Sequence, residues 1–176
     1  RNIVGNPMAG KAPEFVDALP VIEELNETFK GNDDHSNLPR KWKVSVTGSP
    51  DGSGQGDIND LALEPAFKMI DGQEVRGFNV RVGGGLSRNE PRLARDIDVF
   101  VRPENAADVA GGISALFREH GDREDRYNAR IKFLVDEWGP EKLRRVLQEE
   151  FVDFELEAAG EDIREQYTYN AGGEEH

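Results

Sequence analysis

Asn37-Leu38-Pro39-Arg40-Lys41-Trp42-Lys43-Val44-Ser45-Val46 places Arg40, Lys41 and Lys43 within one short span and runs directly into a strand-like alternation. In an extended chain Trp42, Val44 and Val46 point to one side and Lys43, Ser45 and Thr47 to the other. The cations therefore stand at the mouth of a strand with an apolar, core-type face. Arg grips carboxylates in a bidentate manner, whereas Lys offers a compact charge that can also give up a proton. That combination suits an anion or a cofactor carboxylate held close to a sheet. Plain surface charge is the competing reading, and the concentration of cations in an acidic chain weighs against it.

The rest of the chain is strongly acidic. Among 176 residues, Asp and Glu number 35 against 22 Lys and Arg, for a net charge of -13. Only 7 of the cations are Lys. High ionic strength screens the self-repulsion of such a chain, so a halophilic, cytoplasmic setting is expected. The acid excess argues against nucleic acid or an anionic membrane as a partner, because both require a basic footprint. With 0 Cys there is no disulfide, no thiolate nucleophile and no ligand for an iron–sulfur cluster. His35, His120 and His176 do not cluster in sequence, so no metal ligands are assigned. No apolar run approaches the roughly 18 residues of a membrane span, and no signal peptide is visible. The chain starts at Arg1 without Met and closes on a polar tail, which reads as a piece of a longer polypeptide.

Along the chain, residues 1–10 read as a short strand and turn, and residues 14–30 as a helix with Pro20 in its first turn. Residues 42–48 are the strand already described. The glycine-rich stretch 49–57 reads as a solvated linker, and 60–67 as a strand broken by Pro65. Phe78, Val80 and Val82 alternate with Asn79 and Arg81 over 77–82, a strand that runs into Gly83-Gly84-Gly85. Residues 97–101 form a last strand. Apolar stripes then predict helices from Pro103 to Gly121, over 124–138, and from Pro140. Residues 152–176 read as an acidic linker. The fold class expected is α/β in the broad α+β sense: a mixed sheet of about five strands with helices packed against it and a helical C-terminal third.

The glycine run is not a dinucleotide fingerprint, because Arg88 stands where the last glycine would fall. It can instead allow close backbone approach to a ligand, or simply a tight exit from the strand. Trp42 and Trp138 read as core, and 122–126 as a solvated helix start. Arg1 carries no reading from physics alone.

In order along the chain stand 1–10 (RNIVGNPMAG), 37–43 (NLPRKWK), 58–62 (INDLA), 77–87 (GFNVRVGGGLS) and 126–134 (RYNARIKFL) followed by Trp138-Gly139. With these motifs the chain resembles the first siroheme-domain repeat of the ferredoxin-dependent nitrite and sulfite reductases over 1–151. The resemblance implies a siroheme bridged to a 4Fe-4S cluster, ferredoxin as electron donor, a second repeat of the same polypeptide as partner, and six-electron reduction of nitrite to ammonia or sulfite to sulfide. It implies that Arg1, Lys41 and Lys43 are catalytic and line the substrate face: Arg1 to anchor the anion, Lys41 and Lys43 to polarise it and deliver protons. It implies that Arg1, Arg40, Lys41 and Lys43 also meet the carboxylates of the cofactor. Lys43 leans toward sulfite, while Trp42 and 58–62 look more like the nitrite branch. The family's cluster ligands are Cys of the second repeat and are absent here, as are the flanking ferredoxin-like half-domains. The chain alone is therefore expected to be inactive. A non-catalytic anion-binding module that kept the fold is the alternative.

Overall fold

The computed structural model describes residues 2–87 and 90–163. The described strands are β1 (Asn2–Gly5), β2 (Lys43–Val46), β3 (Leu61–Ile70), β4 (Gln73–Val82), β5 (Arg95–Val101) and β6 (Glu161–Asp162). They form one mixed sheet in the order β1-β2-β3-β4-β5, with β6 beside β3. β1, β2 and β3 run parallel; β3, β4 and β5 run antiparallel. Parallel neighbours need a crossover, and helix α1 (Leu19–Phe29) supplies it between β1 and β2. β3 and β4 instead form a long hairpin closed by Asp71-Gly72, whose φ values of 52° and 76° fit the tight turn that follows strand twist.

One sheet face carries Val44, Val46, Leu61, Leu63, Val80 and Val99. Against it pack Leu25 and Phe29 of α1, Ile113 and Phe117 of α2 (Ala106–His120), and Leu134 and Leu143 of α3 (Ile131–Val146). Trp42 is buried and stacks on Phe117 with ring centroids 5.7 Å apart. Each such aliphatic or aromatic side chain contributes about 1.5–3 kcal/mol by leaving water. The expected mixed sheet with helices on it, and the alternation across β2 and β4, are present.

The other face is polar yet buried. Ser45, Thr47, Glu64 and Asn79 project from it, all at most 2% exposed. Residues 49–60 cover half of this face. The Ser45 hydroxyl donates to the Gly54 carbonyl at 2.7 Å, and the Asn59 amide donates to the Gln55 carbonyl at 2.8 Å. A methyl group on Gly54 would overlap the Thr47 hydroxyl, and one on Gly56 the Glu64 carboxylate. The stretch read as a solvated linker is thus a fitted lid, and glycine is there for lack of room.

Residues 152–163 cover the remaining half, which corrects the reading of an acidic linker from 152 onward. The Asn79 amide and Gly160 exchange two hydrogen bonds, at 2.9 and 2.8 Å, and Arg81 pairs with Asp162 at 2.7 Å. Leu156 and Ile163 are buried. Two of the acids in this segment meet cations, Asp162 at Arg81 of β4 and Glu157 at Arg102 just after β5, while Asp153, Glu155 and Glu161 stay exposed.

Three further boundaries move. Residues 14–18 are not helical: Phe15 and Val16 donate their N–H groups to the Gly48 carbonyl at 2.9 and 3.1 Å, which holds this segment beside the end of β2. β3 continues through Pro65. The Leu63 and Pro65 carbonyls accept from Thr47 and Ile163 on the same side of β3, so the proline nitrogen faces the gap where β2 has ended and β6 begins. Residues 122–130 are turns, because Asp122 accepts from the Glu124 and Asp125 N–H groups at 2.8 and 3.1 Å and Asp125 from that of Tyr127 at 2.8 Å. Such side-chain acceptors compete with the helix. The helical run begins at Ile131; at Gly139 (φ 74°, ψ 161°) the backbone leaves the helical region and a second run opens at Pro140, so the break expected at Gly139-Pro140 is present within α3.

Candidate functional site

The N–H of Lys43, the first residue of β2, donates to Asp60 Oδ2 at 2.9 Å. The other oxygen of that carboxylate, Oδ1, accepts from Arg130 Nη2 at 2.7 Å. Asp60 is 0% exposed and precedes β3; Arg130 is the residue before α3. The mouth of β2, the start of β3 and the start of α3 are therefore joined by one carboxylate. Burial pushes the Asp60 carboxyl above its ordinary value, against the opposing pull of Arg130 and the Lys43 N–H.

Above this joint lies a cleft of about 250 Å³ lined by Lys41, Lys43, Ile58, Leu86, Ser87 and Arg130. Lys41 is exposed, Lys43 half-buried, and the Arg130 side chain 18% exposed. Three cations converge here, and the acid beneath them is sealed from solvent. Lys41 also lines a second, adjoining cleft of about 540 Å³ between α1 and the segment before β2, with Lys30, Ser36, Arg40 and Trp42. The Trp42 indole N–H is buried there without a hydrogen-bond partner among the described residues. Lys41 thus stands between two pockets, with Lys43 in one and Arg40 in the other. The sequence reading placed these three together; the structure splits them across a shared wall. Arg1 lies outside the described residues.

The glycine run serves packing within the chain. Gly83 has φ 94° and its N–H donates to the Asp60 carbonyl at 2.9 Å. A methyl on Gly84 would run into the backbone of Asp57 and Asn59, and one on Gly85 would crowd the Arg130 guanidinium. The glycines let the β4 exit pass under the 57–60 backbone and under Arg130.

Behind Ser87 stands Lys132, 1% exposed. Its ammonium donates to Ser87 Oγ and to the Glu90 carbonyl, both at 2.7 Å. Burial holds its proton affinity below the ordinary lysine value, and the nearby Arg130 and Arg92 cations act the same way. Asp60, Ser87, Arg130 and Lys132 were not singled out as site residues from sequence. They fall inside motifs already quoted, but nothing in the spacing says that residues 60 and 130 share a hydrogen bond.

Three cations with no acid among the residues lining the cleft form a donor set suited to oxoanions and carboxylates. The chain has 0 Cys, so it offers nothing for an iron–sulfur cluster.

Comparison with known proteins gives a consistent picture. The family described as "Nitrite and sulphite reductase 4Fe-4S domain" matches residues 1–153. The chain is 51% identical over 174 residues to an assimilatory ferredoxin-dependent nitrite reductase of Haloferax mediterranei, covering 98% of this chain and 30% of that protein. It is 39% identical over 158 residues to a sulfite reductase [ferredoxin] of Mycolicibacterium paratuberculosis, covering 89% of this chain and 27% of that one. Among solved structures, the NirA protein of Mycobacterium tuberculosis superposes with a TM-score of 0.81 at 32% identity, over 91% of this chain and 28% of its own. The chain thus spans under a third of the length of each of these proteins.

Proposed function

The chain belongs to the nitrite and sulphite reductase 4Fe-4S domain family, and on that premise we propose that it forms the siroheme- and substrate-facing wall of an assimilatory reductase. The reaction is the six-electron reduction of nitrite to ammonia or of sulfite to sulfide, with ferredoxin as donor. The observation that carries this reading is the convergence of Lys41 and Lys43 on one cleft whose own acid, Asp60, is wholly buried. The 51% identity to a nitrite reductase supports nitrite over the sulfite lean of Lys43.

Siroheme, when bound, supplies an iron that ligates the substrate and passes it electrons. The chain's own residues do the rest. Lys41 and Lys43 hold the oxoanion, stabilise charge that builds on its oxygens, and donate protons from Nζ as oxygen leaves as water. Arg40, from the adjoining pocket, meets cofactor carboxylates together with Lys41 and Lys43. Arg1 anchors the anion. The chain does not fit the 4Fe-4S cluster, since it has no thiolate to offer; those ligands fall to the second repeat of the polypeptide. In this reading residues 1–151 carry the siroheme-binding unit of a cytoplasmic enzyme.

The test is the visible absorption spectrum of the full polypeptide that carries this chain, purified in high salt. Soret and red bands of a reduced-porphyrin haem, with turnover of nitrite or sulfite, are expected. A protein that stays colourless after reconstitution with siroheme and iron–sulfur precursors overturns the reading and leaves a non-catalytic anion-binding module.

A further inference from the structure

Asp60 has a position that the proposed roles of Lys41 and Lys43 do not explain. Both of its carboxylate oxygens are engaged, one by Arg130 at 2.7 Å and one by the Lys43 N–H at 2.9 Å. Its carbonyl takes the Gly83 N–H at 2.9 Å. At 0% exposure it cannot meet a ligand itself. Arg130 can: it lines the cleft, and its guanidinium lies over Gly85, where a Cβ would come within 3.1 Å of both terminal nitrogens. Asp60 engages Nη2, which leaves Nη1 of the fork for a second acceptor, and Nε is buried without a partner among the described residues.

We propose that Arg130 is a third anion-contacting residue of the cleft and that Asp60 is the positioning residue that aims it while setting the backbone of Lys43. The ligand chemistry is an oxygen-bearing anion, either the substrate oxoanion or a carboxylate of the cofactor, for which a planar guanidinium is matched and an ammonium is not. Asp60 also acts on Lys43, because the same carboxylate fixes where β2 begins. One buried acid thereby orients two cations that are 87 positions apart in the chain.

This inference rests on the function proposed above, and its test separates the two. The full polypeptide is titrated calorimetrically with nitrite and with sulfite, without electron donor, and its cofactor content is read from the visible spectrum. Arg130→Lys keeps the charge and loses the fork. If Arg130 meets substrate, this variant binds the anion about tenfold more weakly or worse with full cofactor. If Arg130 meets a cofactor carboxylate, the variant loses cofactor. Normal affinity together with normal cofactor content overturns the assignment of Arg130. Asp60→Asn combined with Arg130→Lys is expected to be no worse than the stronger single change, because one acts through the other. Additive losses overturn the positioning role, and the lysine variant still tests Arg130 where the asparagine variant fails to fold. A wild-type protein that binds neither anion nor siroheme sinks both readings; wild-type binding that Arg130→Lys leaves untouched sinks only this one.

Discussion

Lys43 carries two functions on one residue. Its N–H is tied to Asp60, and its ammonium lines the cleft. Alanine keeps the first and removes the second, so Lys43→Ala in the full polypeptide should lower turnover by orders of magnitude while the melting temperature holds within a few degrees. Unchanged turnover refutes the proton-delivery role. Lys132 gives a pH signature. Its proton is held more weakly in the folded protein than in the unfolded chain, because burial, Arg130 and Arg92 outweigh Glu90 and Asp136. Between that lowered value and the ordinary 10.5 the unfolded chain binds more protons, so stability rises with pH across this alkaline window. Urea midpoints measured along the window should show the rise in the wild type and lose it in Lys132→Met. At this scale the sequence showed Lys41 and Lys43 through their local alternation. It hid Lys132, since lysine is ordinarily a surface residue and only the fold reveals that residue 132 lies behind Ser87.

At the scale of elements, the glycines of 49–57 and 83–85 are where backbone meets backbone. Gly84 fits between the backbone of Asp57 and that of Asn59, whose carbonyl accepts its N–H at 2.9 Å. Main chain cannot swing aside as a side-chain tip does. Gly84→Ala should therefore cost about 1–3 kcal/mol in a denaturant titration. A loss of only a few tenths, the size expected for an open loop glycine, would show that the 57–60 segment moves freely. The same segment explains what periodicity could and could not deliver. Alternation in 42–48 and 77–82 identified β2 and β4, because a half-buried face leaves a period of two. The polar face opposite is also buried, under residues that carry no periodic apolar signal, so a fitted lid looked like a linker. The Asp71-Gly72 turn was present as a hairpin mark and extends β4 back to Gln73, a signal that the Pro65 break in the reading of β3 obscured.

For the molecule as a whole, charge is the leading variable. A net charge of -13, with 7 Lys among 22 cations, predicts a fold whose thermal midpoint climbs as salt is raised toward molar concentrations. A midpoint that stays level between low and molar salt removes the halophilic reading. Family membership and the mixed sheet were legible because four of the five ordered motifs fall at the strand ends and turns that build the cleft. How those motifs meet was not legible, since Lys43, Asp60, Ser87 and Arg130 come from four separate stretches of chain. That assembly has a kinetic consequence. β1 and β2 pair in parallel only after the α1 crossover has closed, and Arg130 reaches Asp60 only once α3 has docked. Non-local pairings of this kind form slowly. A ligand therefore reports when the cleft closes: an anion that fills it slows unfolding alone if the cleft forms after the rate-limiting step, and speeds refolding if it forms before.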